Sequence, residues 1–208
     1  MTIAVLFAAC LMAMVAPLGA APNPQAAVTV RTYDYANVPG GELAAARLEV
    51  GAIFRRASIA VRWIDCRVPG RVDGALCTEA LVPGRDLMLR LVDRTPSNAG
   101  EAGRIAALGE SMVDREERGG VLMTVDVFPV RAVAARASAG MPVLLGRAIA
   151  HEIGHLLLGS AEHARLGLLR AFWSYDELRG AKPANWGFSS RERAQMRQTL
   201  RGRTRPAD

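Results

Sequence analysis

Two histidines four residues apart, with a glutamate directly after the first, stand at His151, Glu152 and His155. Residues four apart on an α-helix lie one above the other on one face. Two imidazoles placed in this way can bind one Zn2+ ion at about 2.0–2.1 Å each. Glu152 falls about 100° further round the helix. From there it can take a proton from a water held by the metal without being a ligand itself. The chemistry predicted is hydrolysis driven by a metal and a general base.

A catalytic zinc site usually has three protein ligands and one open position. The chain holds three histidines in all, and the third is His163. On an unbroken helix it would lie about 12 Å along the axis from His155 and could not share the metal. Gly159 can end the helix in a left-handed conformation and turn the chain back. Ser160 to Glu162 then bring His163 under the ion. Glu177, Asp176 and Glu162 are the alternative carboxylate ligands.

His151-Glu152-x-x-His155, a glycine and a third histidine resemble the metzincin clan of zinc endopeptidases. The metzincin spacing is HExxHxxGxxH, whereas this chain reads HExxHxxxGxxxH, one residue longer on each side of the glycine. The longer run, through Gly167-Leu168-Leu169-Arg170-Ala171 to Trp173, resembles a group of exported bacterial proteins in which methionine commonly stands where Leu169 is. That resemblance extends to Ala36-Asn37-Val38, Trp63-Ile64-Asp65-Cys66 and Cys77. It implies a zincin-like α+β domain, with a mixed, mainly parallel twisted sheet and an active-site helix packed on it. It also implies a floor beneath the ligands at Gly167–Leu169, where leucine keeps the apolar volume of methionine. An edge strand should line a bound peptide, at 105–112 or at 119–125. Tyr175 has either an oxyanion role or, with Trp173, a packing role.

The elements that must position these groups follow from periodicity. Val28–Tyr33 alternates and is β-branched, as a strand does. Leu43–Ala57 has apolar residues at helical spacing. Ile59–Ile64, Asp86–Val92 and Val121–Val125 read as strands, Ile105–Met112 as a weaker edge strand, and Val130–Ala139 as a short helix. Pro142 suits a first helical position, and Gly159 suits the stop of a helix ending near Leu158. Gly146, Ala150, Ile153 and Leu157 share the face expected to pack on the sheet. Leu166–Asn185 reads as a loop, and Ser189 with Glu192 as the capping box of a last helix to about Leu200.

Half of the 208 residues are apolar and 22% are charged, a composition able to build a core. The net charge is +6, yet Lys182 is the only lysine and the arginines are scattered without interleaved aromatics. Nucleic-acid binding is therefore not expected. Ile3–Val15, then Pro17 and small residues, reads as a signal peptide over 1–21, with an uncleaved anchor as the alternative. Residues 22–27 form a linker, 28–200 the domain and 201–208 a frayed tail. Without Cys10 of the leader, Cys66 and Cys77 remain. In an exported chain they form a disulfide, or else stand as two independent thiols.

Together these features predict a secreted or periplasmic zinc metallopeptidase acting on a peptide or protein substrate, monomeric, with no stable membrane insertion once the leader is removed. Two alternatives are a non-catalytic exported zinc-binding module and a zinc amidase acting on cell-wall peptides.

Overall fold

The computed structural model describes residues 26–67, 74–82, 84–94, 107–114, 116, 119–180 and 186–202. The signal peptide, most of the linker and the tail beyond Gly202 lie outside the described residues. So does the loop expected over Thr95–Gly103.

Alternating apolar residues produce the sheet. Strand β1 (Ala26–Asp34), β2 (Ile59–Arg67), β3 (Asp86–Val92), β4 (Gly109–Ser111) and β5 (Leu122–Asp126) stand in the order β2-β1-β3-β5-β4. The first four in that order are mutually parallel, and only β4 runs antiparallel to its neighbour β5. Leu87, Leu89 and Leu91 are fully buried at alternate positions of β3. The register sets Leu87 beside Val30 of β1, and Leu89 and Leu91 beside Met123 and Val125 of β5. One side of the sheet is thus a continuous apolar surface.

Helix α1 (Gly40–Arg55) links β1 to β2, as a parallel pair requires. A four-residue helix α2 (Ala75–Thr78) follows β2, and a disulfide between Cys66 and Cys77 ties the two together. After β5 come α3 (Val127–Ala137), α4 (Met141–Leu158), α5 (Tyr175–Arg179) and α6 (Ser190–Gly202).

Helix α4 carries the HExxH motif. Pro142 occupies its second position rather than the first, and Gly159 ends it with φ 62° and ψ 34°. Every residue from Leu144 to Leu157 is buried. A helix buried all round is one surrounded on all sides, and α4 touches α1, α3, α6, β4 and β5. The expectation that Gly146 faces the sheet is corrected. A Cβ there would stand 2.5 Å from the Ala46 carbonyl oxygen and 2.7 Å from Glu49 Cβ, so Gly146 is where α1 crosses closely. Nearby, buried Arg147 pairs with Glu49 at 3.3 Å and lies 3.9 Å over the Trp186 ring.

Four other expectations change. The edge strand expected over 105–112 is only Gly109–Ser111 among the described residues, because alanines and glycine make a poor ladder. The 119–125 segment contributes β5, which is interior, so β4 alone holds that edge. Helix α3 starts at Val127, before Pro129, which its first turn tolerates. The segment expected as a loop contains α5, capped by Ser174 and Glu177 in a reciprocal box. The capping box of Ser189 and Glu192 forms at the start of α6. No helix among the described residues is long and apolar enough to cross a membrane.

Candidate metal centre

The turn at Gly159 decides where the chain goes after α4. The amides of Gly159 and Ser160 both donate to the His155 carbonyl, which closes the helix. The Ser160 carbonyl is then within 2.7 Å of His155 Nδ1. Three residues beyond Ser160, His163 arrives beside the other two imidazoles, its ring centroid 5.3 Å from His151 and 5.0 Å from His155. Ligand atoms of His151, His155 and His163 lie within 4.8 Å of one another, the first two buried and the third exposed.

The chain beyond His163 folds back beneath the motif. The Ala164 amide donates to the Leu169 carbonyl, and the Leu168 amide to Gly187. Gly167 makes the turn with φ 82°, and a Cβ there would meet the Gly187 oxygen at 2.7 Å. This places the Leu168 carbonyl 2.9 Å from His151 Nδ1, where it also accepts from Trp173 Nε1 at 3.3 Å. Buried Leu169 closes under Gly154: a Cβ on that glycine would be 3.0 Å from Leu169 Cδ2 and 2.7 Å from Phe188 Cε1. The glycine inside the motif is therefore needed for the floor beneath it.

These carbonyls set the tautomers. A carbonyl only accepts, so each Nδ1 must be the protonated nitrogen, and each Nε2 of a neutral ring carries a lone pair. The two Nε2 atoms face each other at 2.9 Å. Two lone pairs at that distance repel unless a cation lies between them. In a tetrahedral site with bonds of about 2.0–2.1 Å, neighbouring nitrogens stand roughly 3.3 Å apart. Two imidazoles with carbonyl-fixed tautomers, joined by the exposed His163 ring, thus fit a zinc ion with one position open.

The carboxylates weighed as alternative ligands are engaged elsewhere. Glu177 pairs with Arg170 and caps α5 through the Ser174 amide at 3.0 Å. Exposed Asp176 faces Arg179 at 3.4 Å. The Glu162 amide donates to Ser160 Oγ in the turn, and the side chain is exposed. Trp173 packs edge-on against His151 at 5.6 Å, and Tyr175 lies under Arg136.

Glu152 is buried beside the imidazoles and reaches β4. Ser111 Oγ is 2.5 Å from Glu152 Oε2, and a Cβ at Gly109 would be 2.9 Å from Oε1. Sequence reasoning missed both β4 residues. A cavity of about 150 Å³ opens next to His151 and Glu152, lined by Leu108, Ala148, Phe172, Trp173 and Leu178 among others.

Burial pushes the His151 pKa down to about 4, against the raising effect of the Leu168 carbonyl. Burial lowers His155 in the same way. Burial pushes Glu152 up to about 7, opposed by its bond from Ser111. The stability effects of His151 and Glu152 have opposite signs. The His151 contribution is present above its ordinary 6.5 and lost as pH falls toward 4. The Glu152 contribution is present below its ordinary 4.5 and lost as pH rises through 7. His155 adds to the His151 loss and Glu152 opposes both, so metal-free wild type should lose less stability than Glu152→Gln on acidification from about pH 6.5 to 5. Metal-free Glu152→Gln should lose about 2 kcal/mol over that range on acidification. Thermal melts of the two proteins test this, and parallel curves would contradict it.

A mainly parallel sheet with one antiparallel edge strand, a buried helix bearing two imidazoles, and a third imidazole beyond a glycine turn define a zincin-like fold. Solved structures share this fold, among them an archaemetzincin and a metalloproteinase. The crystal structure of archaemetzincin from Methanopyrus kandleri aligns with a TM-score of 0.51 at 13% identity, over 87% of this chain and 99% of that one. Metalloproteinase-II from Bacteroides fragilis aligns with a TM-score of 0.51 at 16% identity, over 84% of this chain and 53% of that one. At these identities the likeness is one of fold. No protein-family model matches the chain, and no curated protein sequence does.

Proposed function

We propose that this protein is an exported zinc-dependent endopeptidase, with His151, His155 and His163 as ligands and Glu152 as general base. The observation that carries the reading is the pair of Nε2 lone pairs facing each other at 2.9 Å, next to a buried carboxylate that no cation neutralises among its described contacts. A purely structural zinc site closes with a fourth protein ligand and has no use for that carboxylate. Both fold relatives, an archaemetzincin and a metalloproteinase, bear names that agree with this reading.

A zinc ion bound there supplies acidified water and polarises a carbonyl. Glu152 takes the proton of the attacking water and later passes it to the leaving amine. His151 and His155 keep their Nε2 atoms on the site because the Leu168 and Ser160 carbonyls hold the opposite nitrogens. The outer side of β4 pairs with no strand among the described residues. A peptide backbone can add there, with an apolar side chain in the cavity beside Trp173 and Leu178. Export rests on the signal-peptide pattern of residues 1–21 and agrees with the disulfide.

A chelator should abolish cleavage of a quenched-fluorescence peptide library, and one equivalent of zinc should restore it. Cleavage that survives zinc removal would refute the reading. Zinc binding without any peptide cleavage would favour the non-catalytic module, or the amidase if cell-wall peptides are cut instead.

A further inference from the structure

Strand β4 holds the proposed base as well as the sheet edge. Side chains alternate along a strand, so Gly109 and Ser111 face one way and Glu110 the other. The Gly109–Ser111 face meets Glu152. Ser111 has one hydroxyl hydrogen and two acceptors in reach, Glu152 Oε2 at 2.5 Å and the Glu152 carbonyl at 3.0 Å. The shorter contact to the charged oxygen is the stronger. Oε1 lies on the opposite side, over Gly109, where a Cβ would stand 2.9 Å from it and 3.1 Å from Cγ. The glycine leaves room for the carboxylate and the serine grips one of its oxygens.

The register of β4 is fixed independently. Arg94 binds Glu110 on the outward face at 3.1 Å and Asp126 of β5 through two bonds of 2.8 Å. A slip of one residue would break this bridge and turn Ser111 away from Glu152.

We propose that Ser111 is a positioning residue for hydrolysis: its hydroxyl holds Glu152 through Oε2 and leaves Oε1 to receive the proton of the attacking water. This rests on the peptidase reading above. A glutamate side chain has several rotatable bonds, and a displacement of about 1 Å at a reacting group can cost a hundredfold in rate.

The test compares zinc-loaded wild type with Ser111→Ala, Ser111→Thr and Ser111→Val. Thr and Val have nearly the same shape, so they separate the hydroxyl from bulk. Readouts are kcat and KM on a quenched-fluorescence peptide, the Kd of acetohydroxamate, bound zinc and melting temperature. Acetohydroxamate needs both the metal and an oriented Glu152 but no turnover. Ala and Val should lower kcat by about ten- to a hundredfold with KM within about twofold. They should weaken acetohydroxamate by about tenfold, the loss of one good hydrogen bond. Thr should stay close to wild type in both, and all four proteins should carry equal zinc. Ala with wild-type kcat and acetohydroxamate affinity would overturn the proposal, as would Thr and Val behaving alike. If wild type binds zinc and acetohydroxamate without cleaving peptides, the peptidase reading fails, while the affinity series still decides whether Ser111 orients Glu152. A wild type that binds no zinc would sink both.

Discussion

Glu152→Gln is expected to lower peptide hydrolysis by a factor of about 10² to 10⁴ while bound zinc stays at the wild-type level. Glutamine keeps the shape of the side chain and can still accept the Ser111 hydroxyl hydrogen, so the packing between Gly109 and Ser111 survives. What it loses is a group able to take a proton. The metal content should not change, because the three converging imidazoles do not include Glu152. Kinetics on the peptide library, with zinc measured by atomic absorption on the same samples, separate the two properties. Activity within a few-fold of wild type would remove Glu152 from the reaction. Zinc lost together with activity would make it a ligand instead.

His163→Ala should weaken zinc by more than about a hundredfold, since removing even an outer partner of a ligand costs 10- to 100-fold. Because His163 is exposed, the metal-free protein should keep its stability within about 0.5 kcal/mol, as surface substitutions do. Glu177→Ala is the matched control. It breaks the ion pair with Arg170 and the cap of α5, so it should cost stability while leaving zinc affinity within about twofold. A competitive chelator titration and metal-free melts rank the two variants. Zinc lost from Glu177→Ala but retained by His163→Ala would transfer the third ligand to the carboxylate. The variants His151→Ala and His155→Ala are less informative, because both rings are buried in α4 and their loss mixes packing with coordination.

Much of the frame was legible because its causes are local. Helix α4 ends at Leu158, where Gly159 can take φ 62° without a Cβ penalty. The strand β3 has its expected bounds because alternating leucines and valine admit one reading. The reciprocal cap at Ser189 and Glu192 is written in four consecutive residues. The same signal was present at Ser174 and Glu177 and went unread in a stretch otherwise lacking helical periodicity. The inward face of α4 was misassigned at Gly146 because apolar residues on several faces of a helix do not say which neighbour lies where.

The sequence by itself determined the donor types and their spacing: two imidazoles on one helical face, a carboxylate between them, and a glycine that lets a third imidazole return. Only the tertiary structure decided what holds them. The Leu168 carbonyl reaches His151 across 17 residues, and the Ser111 hydroxyl reaches Glu152 across 41. A backbone carbonyl leaves no mark in a sequence, and one serine in a weak three-residue strand carries no periodic signal. Their positions follow from how the loop folds under α4 and where β4 seats against it, which is set by packing over long separations rather than by local propensity.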